Sequence, residues 1–234
     1  MKKVSNIEFL IIIPLTLLLS YFCADILFDP RYVVYIKPFI IPTFILYAYK
    51  SNKKLSFNYL IFASFFYANE TLLLFWEDSV PLYKTALIAS FFSYLALINL
   101  GYSSLKSKTL FTLPKGYSLF ILILNCIFLL AVLYIITTSI KDFVLTIIIV
   151  LNAIIAVFLG ATAVIYLGKF GNTKAYLYFF GAFALIFNDI FAAIGSYLID
   201  NIVLNTLDRI LHFTAFFIIY LFATTHKKRS IILH

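Results

Sequence analysis

Between Ile7 and Thr225 the chain is a succession of eight apolar runs with no long polar linker between them. They cover residues 7–28, 31–49, 56–76, 81–102, 117–139, 142–168, 174–199 and 203–225. A helix needs about 20 mostly apolar residues to cross the hydrocarbon of a bilayer. In lipid each backbone amide must be satisfied internally, which leaves the helix as the natural state of such runs. The pattern predicts an all-α, polytopic membrane bundle of eight transmembrane helices, with residues 1–234 forming one transmembrane domain. The first two runs are parted by Asp29-Pro30-Arg31; Pro30 suits the first position of the second helix, and Asp29 is placed to cap it. The fifth and sixth are divided only by Ser139-Ile140-Lys141-Asp142, and merging them gives a seven-span alternative.

Composition agrees. The chain is 64% hydrophobic and 12% charged, against about 45–50% and about 25% for a soluble domain. The excess apolar surface has to face lipid. A net charge of +8 could point to nucleic acid, but the basic residues sit in short clusters between apolar runs and no soluble stretch of domain size carries them. No nucleic-acid partner is expected; the charge reads as topogenic. With eight spans, thirteen basic residues fall on one side: Lys2, Lys3, Lys50, Lys53, Lys54, Lys106, Lys108, Lys115, Lys169, Lys174, Lys227, Lys228 and Arg229. Four fall on the other: Arg31, Lys84, Lys141 and Arg209. The positive-inside rule then places both termini in the cytoplasm, with the chain in the cell (inner) membrane. Asp25, Asp29, Glu77, Asp78, Asp142, Asp200 and Asp208 form the outer rim. The opening MKKVSNIEFLIIIPLTLLLS runs on to Phe28 without a small-x-small cleavage site, and Phe22 before Cys23 does not suit a lipoprotein signal; it reads as a retained first helix. Cys23 and Cys126 read as small buried hydrophobes. The 27 Phe and 17 Tyr read mostly as lipid-facing and interfacial surface.

Against this background a few ionisable residues stand out. Lys37, Glu70 and Asp189 lie inside apolar runs, where a charge costs at least about 2.5–3.5 kcal/mol and normally faces a protein interior or a watery cavity. At a rise of about 1.5 Å per residue, Lys37, Glu70 and Arg209 lie roughly 9 Å from the outer ends of their spans, His212 about 13 Å and Asp189 about 15 Å. Groups at a shared depth can pair, so Glu70 with Lys37 is the expected ion pair. In the seventh span Gly181, Ala182, Asp189, Ala192, Ala193 and Ser196 form a small-residue stripe around the carboxylate, with Asn188 beside it; Asn152, Ala156, Gly160 and Ala163 do the same in the sixth. Small residues let helices approach closely in lipid, so Asp189 is expected to point into the bundle. Ala63, Tyr67 and Glu70 are expected on one face of the third span. His212, near the rim, could meet interfacial water. There is no G-x-S-x-G, H-E-x-x-H, phosphate loop or C-x-x-C, and neither a metal nor a cofactor is expected.

Eight short-looped spans with Lys37-Pro38, Glu70 in ANETLLL and GAFALIFNDIFAA, with Gly181, Ala182 and Asp189, resemble the YhhN, or lysoplasmalogenase-like, family of integral membrane proteins. Asn69-Glu70 stands where that family usually has Gly-Asp, Asn188-Asp189 where it has Ser-Asp, and the fourth span lacks the family's His. The resemblance implies hydrolysis of the vinyl ether bond of a lysophospholipid, releasing a fatty aldehyde, with membrane lipids as the partners. Protonation at carbon gives an oxocarbenium ion that water captures, which requires one protonated carboxyl and one ionised carboxylate. Glu70 and Asp189 are the implied catalytic pair, with the acid and base roles open. Lys37, Asn188, Arg209 and His212 are the implied substrate-binding or electrostatic supports. Two other classes fit the same charges: a non-catalytic lipid-binding protein and a small proton-coupled transporter. Neither an internal repeat nor paired Gly/Pro-broken helices favour the transporter.

Overall fold

The computed structural model describes residues 6–27, 34–75, 79–105, 116–197 and 201–225. Among the described residues eight α-helices follow one another: α1 (Asn6–Leu27), α2 (Ile40–Lys50), α3 (Phe57–Leu73), α4 (Val80–Leu105), α5 (Tyr117–Ser139), α6 (Phe143–Phe170), α7 (Thr173–Tyr197) and α8 (Ile202–Thr224). No strand occurs among the described residues. Among the described residues four stretches are long and apolar enough to cross a membrane: Val80–Ser103, Phe143–Phe170, Thr173–Tyr197 and Ile202–Thr224. Large apolar side chains such as Leu46, Phe57, Ile127, Phe158 and Phe180 are exposed on the outside of the bundle, the surface that a membrane protein offers to lipid.

The punctuation is local. Ser56 accepts from the Tyr59 amide at the start of α3, Asp142 from Leu145 at α6 and Asn201 from Val203 at α8, each satisfying a donor that the first turn leaves free. Gly171 ends α6 in the left-handed region, φ 52°, where a Cβ would be strained. Because Asp142 caps α6 and α5 stops at Ser139, the fifth and sixth runs are separate helices.

The second run departs from expectation. It is not one α-helix: Val34–Phe39 forms a 3₁₀ helix and the α-helix begins only at Ile40. Pro38 has no amide hydrogen to give to the carbonyl one α-turn back, so the regular ladder cannot run through it. The Asp29-Pro30-Arg31 turn lies outside the described residues. So do Lys2, Lys3, Lys106, Lys108, Lys115, Glu77, Asp78, Asp200, Lys227, Lys228 and Arg229, which entered the orientation argument, and the side chain of Asp25.

Packing runs α3–α4–α6–α7–α8, with α7 and α8 in the most extensive contact. Gly181 explains the closeness: a Cβ there would sit 2.9 Å from Ile219 Cγ1. α5 lies outside against α6 and α7, while α1 and α2 lean on α8. The aromatic residues do more than face lipid. Tyr94, Tyr178, Tyr220, Phe44, Phe62, Phe66, Phe213, Phe216 and Phe222 are fully buried, because rings stacked and edge-on against one another fill the interhelical space with large apolar area. Neither cysteine is a buried hydrophobe: Cys23 is exposed and Cys126 partly so.

Candidate functional site

The described helices place a polar group in one half of the bundle with great regularity. A cavity of about 410 Å³ is lined by Tyr21 from the C-terminal half of α1, by Lys37 of the 3₁₀ segment, by Asn69, Glu70 and Leu73 at the end of α3 and by Tyr83 to Tyr94 near the start of α4. α5 and α7 again give their C-terminal halves, α6 and α8 their N-terminal halves. Successive helices thus present alternate ends, as an up-and-down thread requires. The cavity has two kinds of wall. Leu129, Val132, Leu133 and Ile136 of α5, with Ile149, Ala153 and Ala156 of α6, make one side largely apolar, Asn152 of α6 being the polar exception. Glu70, Tyr94, Asn188, Asp189, Asp208 and Arg209 are in the other.

Each polar residue reaches the cavity through helical spacing. Glu70 follows Phe62, Ala63 and Phe66 on the buried face of α3; Tyr67, expected there, is instead 43% exposed. On α8, Asp208 and His212 lie one turn apart and are both buried, continuing into Phe216, Ile219 and Tyr220. On α7 the small-residue stripe divides its work. Gly181 and Ala182 are packed shut, while Asp189, Ala192, Ala193 and Ser196 border the cavity.

The ion pair differs from the expected one. Lys37 Nζ donates to Asp208 Oδ2 at 2.6 Å, so Asp208 belongs to the site and not to the outer rim. It is 6% exposed. Asp189 is held by two donors: Tyr94 Oη gives to Oδ2 at 2.7 Å and Asn188 Nδ2 to Oδ1 at 3.2 Å. Glu70 Oε1 stands 4.0 Å from His212 Nδ1. His212 has no exposed surface; it sits behind Glu70 among Phe66, Phe213 and Phe216, away from interfacial water, with Nε2 3.4 Å from the Lys37 carbonyl. Arg209 lies over the Tyr21 ring at 4.5 Å and lines the cavity.

Glu70, Asp189, Lys37, Asn188 and Arg209 therefore share one cavity, and His212 buttresses it. Sequence reasoning missed Asp208 and Tyr94. Asp208 could have been found: it lies only one residue less far into the last run than Lys37 lies into the second, and one helical turn before His212. Tyr94 had no signal of its own, because a tyrosine in an apolar run is ordinary. Near the cavity's end Tyr83 and Tyr197 pair their hydroxyls. Among the described residues no cluster of His, Cys, Asp and Glu is arranged to hold a metal ion. Compared with known protein families, characterised proteins and solved structures, the chain matches none.

Proposed function

We propose that the chain is an eight-span protein of the cell membrane, termini in the cytoplasm, that binds a lysophospholipid in this cavity and hydrolyses its vinyl ether bond, as the resemblance to the lysoplasmalogenase-like family implies. One observation carries the reading: Glu70 and Asp189 lie in the wall of a single cavity whose α5–α6 wall is apolar except for Asn152. An amphiphile matches such a site, chain against α5 and α6, reacting atoms among the carboxyls. The alternation of helix ends around the cavity supports the eight-span thread.

The chemistry balances on two carboxyls. One donates its proton to the β-carbon of the vinyl ether, leaving an oxocarbenium ion that the new carboxylate stabilises. Water adds to that ion and yields a proton to the second carboxylate. In the hemiacetal the first carboxylate takes the hydroxyl proton as the second carboxyl protonates the leaving alkoxy oxygen. Aldehyde and alcohol depart, and both carboxyls return to their initial states. Tyr94 and Asn188 fix the position of Asp189, which matters because misplacement by about 1 Å can cost about a hundredfold. Asp208 neutralises Lys37, and Arg209 is the group shaped to receive a lipid phosphate.

The test is aldehyde release by the purified protein in detergent, from a lysoplasmalogen and from an ester lysophospholipid of equal chain length. Release from the vinyl ether alone is expected. Binding of both lipids without aldehyde would replace this reading with the lipid-binding one, and proton flux in proteoliposomes without lipid turnover would replace it with the transporter.

A further inference from the structure

Behind Glu70, on the side away from the cavity, stands a histidine whose bonding is decided by its neighbours. His212 Nε2 lies 3.4 Å from the backbone oxygen of Lys37. A carbonyl only accepts, so Nε2 must carry the hydrogen. In a neutral imidazole Nδ1 is then a bare acceptor. That atom is buried without a hydrogen-bond partner and aims at Glu70 Oε1, 4.0 Å away. Two acceptors facing each other in an apolar pocket are unfavourable unless a proton lies between them.

We infer that the Glu70–His212 pair stores one proton, that it resides on Glu70, and that His212 is the positioning residue that keeps it there. The alternative location, a doubly protonated His212, would bury a second cation beside Lys37, whose own charge is already matched by Asp208 at 2.6 Å. The charged groups that act on the pair are Lys37 on the 3₁₀ segment, Asp189 on α7 and Asp208 on α8; Tyr21 on α1, Tyr94 on α4 and Arg209 on α8 line the same cavity. Asp189 differs from Glu70 in receiving two hydrogen bonds, and donors to a carboxylate favour its charged form. The roles left open by the sequence are thereby divided: Glu70 enters the reaction as the acid, Asp189 as the acceptor of the water proton. The catalytic part of this inference rests on the hydrolase reading; the stored proton does not.

Two measurements without substrate decide it, both on the full chain in detergent at neutral pH. Infrared spectroscopy should show the carbonyl stretch of a protonated carboxyl, lost in Glu70→Gln and kept in Asp189→Asn. In His212→Phe, which keeps a ring and removes the acceptor, the band should shift or vanish. No such band, a band that disappears with Asp189→Asn instead, or one indifferent to His212→Phe would overturn the inference. Should His212→Phe not fold, ¹⁵N spectra of histidine-labelled protein decide, the His212 signal being the one lost in His212→Asn. A neutral Nε2–H tautomer is expected; an imidazolium or an Nδ1–H tautomer overturns it. If both results stand and aldehyde release fails, the hydrolase reading falls while the proton pair survives.

Discussion

The two halves of the bundle are built from the same helices and filled in opposite ways. In α3 the residues run from Tyr59, Phe62 and Phe66 to Asn69 and Glu70; in α8 they run from Asp208 and His212 to Phe216, Tyr220 and Phe222. Antiparallel packing lays the aromatic ends together and the polar ends together. The closed half is a ring cluster: Phe44 stacks on Tyr220 at 4.9 Å between centroids, Phe66 meets Phe216 at 4.6 Å, and Tyr178 meets Phe222 at 4.8 Å. The other half keeps about 410 Å³ of open space. A cavity edged by charges gains little from its own contacts, so its geometry is borrowed from the half that is packed solid.

That division can be attacked from either end. The largest effect is expected from Asp189→Asn, which preserves shape but can neither carry charge nor transfer a carboxyl proton. Aldehyde release should fall by about 10²–10⁴-fold with the melting temperature in detergent almost unchanged. A variant that melts early and keeps its turnover would make Asp189 part of the frame. Next comes Phe222→Ala in the closed half, where the ring is 1% exposed and touches Tyr166 and Tyr178. Stability should drop by about 3–5 kcal/mol, measured by thermal unfolding in detergent, and turnover per folded molecule should hold. Unfolding near the wild-type temperature would refute the idea that this half is the support.

A smaller loss is expected for Lys37→Met, which leaves Asp208 charged and alone. The lysine side chain keeps 17% exposure, so the cost should fall near the lower end of the range for a broken buried pair, about 3 kcal/mol. The double variant Lys37→Met with Asp208→Leu should regain most of it; equal instability in the single and double variants would mean the pair is not what holds the 3₁₀ segment to α8. The smallest effect belongs to the rim. Lys84 donates to Asp142 at 2.6 Å, and this bond, with the Leu145 amide, holds the Asp142 carboxyl below its ordinary range. Its stabilisation is therefore complete above the usual aspartate pKa and is lost as pH falls through the depressed folded value. Thermal unfolding followed against pH should show a slight acid-side decline that Asp142→Asn flattens; identical profiles would remove the rim from the account.

Much of this was readable in one dimension, for reasons specific to each residue. Glu70, Asp189 and Lys37 were conspicuous because charge is expensive in an apolar run. Helix boundaries were marked by Ser56, Asp142, Asn201 and Gly171, whose caps act within a few residues. Asp208 was hidden by company: beside Asn201, Asn205 and Arg209 it resembled a rim residue, although it lies within one residue of the depth of Lys37. The actual partner of Lys37 was illegible because pairing depends on which helices meet, and a shared depth permits several choices. The 3₁₀ start of the second run is foreshadowed by Pro38, although the run's continuous hydrophobicity reads as one helix. Tyr67 and Phe66 differ by one position, about 100° around the helix, and only the tertiary packing chose between them.

The Lys37–Asp208 pair also bears on how the protein is made. Its members are 171 residues apart in the chain, and His212, which touches the Lys37 carbonyl and faces Glu70, is as late as Asp208. Synthesis runs from the N-terminus, so on the proposed eight-span thread the early segments enter lipid with an ammonium and a carboxyl whose partners do not yet exist. The uncompensated Lys37 ammonium costs at least about 2.5–3.5 kcal/mol there, while Glu70, carrying its proton, lacks only its acceptor. α8 is therefore the step that brings Lys37 its counter-charge and Glu70 its acceptor, and a chain halted before α8 leaves the membrane holding both without the groups they were placed to meet.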